Sequence, residues 1–210
     1  FTISPKPFCT ASLIDSTRGI MQTAASEKNL ALQFQVSPAL PAHICGDFTR
    51  IRQILINLID NAIKFTDKGS IAISLSAVSH NNETFELLCD VTDSGIGIDE
   101  SFKDQLFDEF SMADNSSSRQ RSGAGLGLSI CKNLVKKMSG HITARNNRSG
   151  GGAQFSFSIR LNYCSDDEIA ALRTVSKHDN LHLPKGCRVL VAEDNESNRL
   201  IAENKLILFD

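Results

Sequence analysis

Apolar residues recur at helical spacing through residues 8–26, at Leu13, Ile14, Ile20, Met21 and Ala24, and Asn29 supplies a stop. Residues 30–36 then alternate with period two, which predicts a strand ended by Pro38 and Pro41. Asp47 is placed to cap a long helix running to about Phe65, with Gly69 beyond its end. Two strands follow: Ile71, Ile73, Leu75 and Ala77 alternate with Ala72, Ser74 and Ser76, and Phe85, Leu87, Cys89 and Val91 with Glu86, Leu88, Asp90 and Thr92. The turn-forming residues 80–83 between them predict an antiparallel pair. Another helix should start near Gly125 and stop before Gly140, with Leu128, Cys131, Leu134, Val135 and Met138 apolar. Strands at 141–146 and 153–161 flank three consecutive glycines, Gly150, Gly151 and Gly152. Strands and helices mixed in this way, with hairpin-like pairing and no internal repeat, predict an α+β layer sandwich.

Two stretches break the pattern. Residues 111–122 read SMADNSSSRQRS, which is either a surface loop or a functional lid. Residues 162–185 read as a linker with a short helix at 169–175, and residues 187–192 then look like a buried strand ended by Glu193, Asp194 and Asn195.

Composition narrows the classes. With 22 Lys+Arg against 24 Asp+Glu in 210 residues, the chain lacks the basic excess of a nucleic-acid binder. Its 41% apolar content is too high for a disordered tail, and no apolar run approaches the roughly 18 residues that span a membrane. The N-terminus looks cut from something longer. Six cysteines, at 9, 45, 89, 131, 164 and 187, never form a C-x-x-C pair, so neither a zinc site nor a disulfide scaffold is expected, and reduced, mostly buried thiols are.

Candidate chemistry lies at three places. Gln53, Asn57, Asn61 and Lys64 line one stripe of the 47–65 helix, apart from the apolar side formed by Ile51, Ile54, Leu55, Leu58, Ala62 and Phe65. Such a row is either a solvated face or a pocket wall, whose amide oxygens suit Mg²⁺ and whose ammonium suits a phosphate. Asp93, Gly95 and Gly97 follow a strand, as an ordinary capped turn or as backbone that a flat ligand approaches closely. Gly123, Gly125 and Gly127 lead into a helix, where backbone amides favour an anion, although neither a Walker motif nor a G-x-G-x-x-G fingerprint is present.

The order and spacing of these elements resemble the nucleotide site of the Bergerat-fold ATPases, and most closely the catalytic domain of sensor histidine kinases. Residues 47–66, ending in NLIDNAIKFT, look like that family's N box. Residues 93–98, 107–110 and 122–130 look like its first glycine box, F box and second glycine box, and 150–155 like its last glycine turn. Ala124 departs from the pattern, where a hydroxyl residue is common.

The resemblance implies a mixed, mainly antiparallel sheet packed on helices over residues 1–163, and it implies roles. Asn61 would hold Mg²⁺ with Asn57 beside it, and Lys64 would contact phosphates. Phe65 would pack near adenine, and Asp93 would accept from its amino group. Gly95 and Gly97 would admit the base, with Ile98 and Phe107 in the same site. Gly123, Gly125, Leu126 and Gly127 would wrap the phosphates, and Arg119 or Arg121 would reach the terminal one. ATP-hydrolysing relatives carry a Glu at the position of Asn57; an amide is no general base, which favours phosphoryl transfer to a histidine. A hydrolase and a nucleotide-binding pseudokinase are the alternatives.

None of His43, His80, His141, His178 and His182 has the setting of that family's acceptor, so the acceptor is expected on a dimerising helical domain of the same longer protein. Residues 189–195 resemble the first strand and acidic pair of a response-regulator receiver. The resemblance therefore implies a catalytic domain at 1–163, a linker at 164–185 and the first part of a receiver at 186–210. Together they suggest the cytoplasmic portion of an inner-membrane-anchored hybrid kinase, homodimeric as a whole. Its partners would be the helical domain and a receiver, with no nucleic acid and no membrane contact by this segment.

Overall fold

The computed structural model describes residues 2–108, 126–147, 151–178 and 190. The chain divides into two compact units, Phe1–Ser165 and Asp166–Asp210.

The first unit is a seven-stranded sheet with helices. Its strands are β1 (Lys6–Cys9), β2 (Ala31–Val36), β3 (His43–Gly46), β4 (Ser70–Ser79), β5 (Thr84–Asp93), β6 (His141–Asn146) and β7 (Ala153–Tyr163). The helices are α1 (Thr10–Glu27), α2 (Phe48–Phe65) and α3 (Gly127–Lys137), and Glu100–Gln105 forms a short 3₁₀ helix. Strand order is β1-β3-β7-β5-β4-β2, with β6 also paired to β7. All pairings are antiparallel except β2 with β4. The sequence pattern missed β1 and β3 because four-residue strands are too short to show a period.

One face of the sheet is buried. Ile71, Ile73 and Leu75 of β4, Phe85, Leu87, Cys89 and Val91 of β5, and Phe155, Phe157, Ile159 and Leu161 of β7 all point inward. The same parity carries β5 to its last residue, so Asp93 also lies on the buried face, at 5% exposure.

α2 packs on β4 and β5 and touches both α1 and α3. Asp47 caps it, accepting from Arg50 N at 3.1 Å and also from Ser4 N at 2.9 Å. Its buried stripe is wider than expected, because Ile59 and Ile63 join Ile51, Ile54, Leu55, Leu58 and Ala62. Phe65 does not belong to it. At the last turn of the helix Phe65 is 39% exposed, while its carbonyl accepts from Ile96 N at 3.2 Å. Asn29 and Ser139 follow α1 and α3 in the left-handed conformation, and Asn tolerates it better than most residues. Only Cys89 and Cys131 of the described cysteines are buried; Cys9, Cys45 and Cys164 are half-buried, placed near strand ends where cover is partial.

In the second unit the described element is α4 (Asp166–His178), longer than the 169–175 helix expected from apolar spacing. Asp166, Asp167 and Glu168 fill its first turn, where carboxylates favour the helix dipole, and His178 ends the helix instead of lying in a linker. Leu190 is the one described residue of the expected buried strand at 187–192; it is exposed and in no strand. A strand hides apolar residues only where neighbouring elements cover them. The remainder of the receiver-like stretch lies outside the described residues, as do residues 109–125, with the expected lid, Phe110, Arg119, Arg121, Gly123, Ala124 and Gly125, and residues 148–150 with Gly150.

Candidate functional site

The end of β5 is the most constrained part of the site. Asp93 Oδ1 accepts from Gly95 N at 2.8 Å and from Ala153 N at 3.2 Å. Its Oδ2 has no partner among the described residues, so a nearly buried carboxylate keeps one fixed acceptor unused. Burial pushes the Asp93 carboxyl above its ordinary value, and the two N–H donors partly offset this. Oδ2 is not among the buried atoms left without a partner, so it keeps access to the surface, where a ligand N–H can reach it.

The glycines beside it have an internal reason. A Cβ on Gly95 would run into the Phe65 carbonyl, which accepts from Ile96 N at 3.2 Å. Gly97 has φ of 79°, and a Cβ there would sit 2.8 Å from Asn146 Oδ1. At Gly152, with φ of 82°, a Cβ would run into the Asp93 carbonyl. Protein atoms therefore occupy the places a Cβ would take at Gly95 and Gly97, which by itself requires glycine at both positions. Ile96 stands 67% exposed next to them, and with Phe65 it offers apolar surface at the site.

The amide stripe of α2 meets the start of α3. Asn57 Nδ2 donates to Gly127 O at 3.4 Å, and the Asn57 amide also contacts the buried Cys131 thiol, whose pKa burial pushes up to about 12. Gln53 is engaged by Arg50 at 3.0 Å. Asn61 is half-buried and has no hydrogen-bond partner among the described residues. Lys64 pairs with Asp60 at 2.6 Å, both about two-fifths exposed; such a pair contributes well under ~1 kcal/mol, so the ammonium is readily diverted to a phosphate. Leu126 is half-buried, its carbonyl accepting from Ile130 N at 3.0 Å, and Phe107 packs on the core.

The structure thus joins Asp93, Gly95, Gly97 and the backbone of Phe65 on one side, and Asn57 with Gly127 on the other. Thr66, next to Phe65, carries a fully buried hydroxyl without a partner among the described residues. The donor set fits Mg²⁺ and a nucleotide: an unused amide on Asn61, an easily released cation on Lys64 and an unused carboxylate oxygen on Asp93. Among the described residues no cluster of three His, Cys, Asp or Glu would hold a metal, so Mg²⁺ would depend on amides, water and phosphate oxygens. A cavity of 360 Å³ lined by Thr10, Ile14, Asp15, Arg18, Val36 and Leu40 shares no residue with this site and has none of its amides.

Three contributors escaped the sequence reading. Lys28 Nζ donates to Ile63 O at 2.7 Å and to Lys64 O at 3.2 Å, closing the C-terminus of α2. Asn146 and Asn147 reach the 93–98 loop from the end of β6. A pair of Asn before three glycines signals a turn, but nothing in the chain order shows which loop the amides meet.

Residues 46–163 match the family described as Histidine kinase-, DNA gyrase B-, and HSP90-like ATPase. The chain belongs to this family. Its mixed sheet with helices is the Bergerat ATPase fold of histidine kinase catalytic domains. Hybrid signal transduction histidine kinase K of Dictyostelium discoideum is 34% identical over 204 residues, covering 93% of this chain and 17% of that protein. Sensor protein GacS of Pseudomonas syringae pv. syringae is 37% identical over 201 residues, covering 95% of this chain and 21% of that protein. The chain thus spans about a fifth of the length of these curated relatives. The crystal structure of full-length ShkA in complex with AMPPNP superposes with a TM-score of 0.67 at 29% identity, covering 79% of this chain and 33% of that one. Among the described residues no helix is long and apolar enough to cross a membrane.

Proposed function

We propose that this histidine-kinase-type ATPase domain binds Mg²⁺-ATP and donates the γ-phosphoryl group to a histidine on a dimerising helical domain of the same, longer protein. The observation that carries the reading is the Asp93 carboxylate beside the Gly95–Gly97 loop: two backbone N–H groups hold its Oδ1, and its Oδ2 is an unused acceptor among the described residues. It suits the exocyclic amine of adenine and disfavours guanine, which presents a carbonyl there. Asn61 and Asn57 would hold Mg²⁺, which when bound offsets phosphate charge. Lys64 would exchange Asp60 for a phosphate oxygen, and the Gly127 end of α3 would face the phosphates, joined by Gly123, Gly125 and Arg119 or Arg121.

In the transfer, an imidazole nitrogen forms a bond to the γ-phosphorus as the bond to the bridging oxygen breaks, and ADP leaves. Asn57, held by Gly127 and unable to take a proton from water, leaves hydrolysis without a base. The phosphoryl group would then pass to an aspartate of a receiver, in the same protein or in a separate response regulator, as in two-component phosphorelay. This reading places the domain in the cytoplasm and residues 186–210 at the start of such a receiver. Calorimetry with Mg²⁺-ATP tests it. The wild-type chain should bind, Asn61→Ala should lose the Mg²⁺ dependence, and Asp93→Ala should lose binding. Absence of binding by the wild type, or phosphohistidine formed on the chain alone, would overturn it.

A further inference from the structure

Asn146 and Asn147 stand side by side where β6 ends, and both turn their carboxamides onto the loop that follows Asp93. Asn146 Oδ1 accepts from Ile98 N at 2.6 Å, while its Nδ2 donates to Ile98 O at 2.8 Å and to Glu100 Oε1 at 3.1 Å. One side chain thereby satisfies both backbone groups of Ile98, as a neighbouring strand would. Asn147 Nδ2 donates to the Asp93 carbonyl at 2.7 Å and to Gly151 O at 3.2 Å, and Asn147 N donates to Gly152 O at 3.1 Å.

These bonds grip the loop at both ends, residues 93 and 98. Between them the chain takes a positive φ at Gly97, where Asn146 Oδ1 occupies the side-chain space, and Ile96 is left projecting. Apart from Asp93, whose Oδ1 accepts from Gly95 N, no other side chain reaches the backbone of residues 95–98 in a described hydrogen bond. Besides these amides the loop is held by Ile98 packed on the core and by Ile96 N donating to Phe65 O at 3.2 Å, so losing the amides should loosen the loop locally without unfolding the domain.

We infer that Asn146 and Asn147 are positioning residues that fix the Asp93 carboxylate and the 95–98 loop for the base, and so set adenine-over-guanine selectivity. Neither touches the ligand; they act through Ile98 and Asp93. The inference rests on the reading of Asp93 as the adenine acceptor. A pocket held in one geometry rejects the wrong base by leaving groups unpaired, whereas a loosened one adapts to it.

The test measures ADP and GDP binding by calorimetry on the full 210-residue chain with Mg²⁺, alongside thermal unfolding. Asn146→Ala and Asn147→Ala should each weaken ADP on the order of tenfold while changing GDP little, so the ADP/GDP ratio narrows. Thr17→Ala is the control: its buried hydroxyl bonds Leu13 O at 2.7 Å inside α1, so the variant loses stability away from the loop and should keep the ratio. Should an alanine variant fail to fold, Asn147→Asp has the same shape but no N–H for the Asp93 carbonyl, and should narrow the ratio likewise. A wild-type ratio in folded variants, or an equal narrowing in Thr17→Ala, overturns the inference alone. Wild-type chain that binds neither nucleotide overturns the reading of Asp93 and this inference with it.

Discussion

Asp93→Asn isolates a single atom of the site. Asn has the shape of Asp, and its amide oxygen can accept from Gly95 N and Ala153 N, now at 2.8 and 3.2 Å, as Oδ1 does. What changes is the second position, where an unused acceptor becomes an NH₂ donor. An adenine amine then meets another donor. A hydrogen bond to a charged acceptor contributes ~1.5–3 kcal/mol, so ADP affinity should fall by roughly ten- to a hundredfold or more. The fold should not suffer. Burial raises the Asp93 carboxyl above its ordinary value, so the folded state holds this proton more tightly than the unfolded chain does. The carboxyl therefore favours folding fully only below its unfolded pKa of about 3.9, and that contribution is lost as pH rises through the higher folded value. At neutral pH the Asn variant, with no charge to bury, should melt at or above the wild-type temperature, and the gap should close as pH approaches about 4. Calorimetry with ADP and thermal unfolding across this range measure both effects. ADP binding within threefold of wild type in a normally folded variant would show that Oδ2 does not read the base.

Gly152→Ala forces a Cβ against the Asp93 carbonyl at a φ of 82°, and should destabilise the domain by at least ~1–3 kcal/mol in denaturant unfolding. Lys28→Met removes the ammonium from the carbonyls of Ile63 and Lys64; a loss of about 1 kcal/mol is expected, with hydrogen exchange at the end of α2 rising first. Asp47→Ala strips α2 of its cap and Ser4 N of its acceptor, and should cost about 1–2 kcal/mol by the same unfolding measurement.

Much of this architecture was legible in the chain. Alternation at residues 71–77 and 85–92 placed β4 and β5 and their antiparallel pairing, helical spacing placed α1, α2 and α3, and Asp47 marked where α2 begins. The amide row at 53, 57, 61 and 64 was visible as a stripe because helix geometry is local. These features depend on residues within a few positions of each other, where periodicity and capping chemistry suffice.

What required the tertiary structure is whatever joins distant segments. The sheet brings Ala153 to Asp93 across 60 positions, and Asn146 to Ile98 across 48. Only that approach shows that one Asp93 oxygen is taken and the other unused. It also shows that Phe65 is left partly exposed at the end of its helix, and that Gly97 makes room for an amide of its own protein. Residue types reveal which groups are able to bond, whereas the pairing of strands far apart in the chain decides which bonds are made and which polar atoms remain for a ligand.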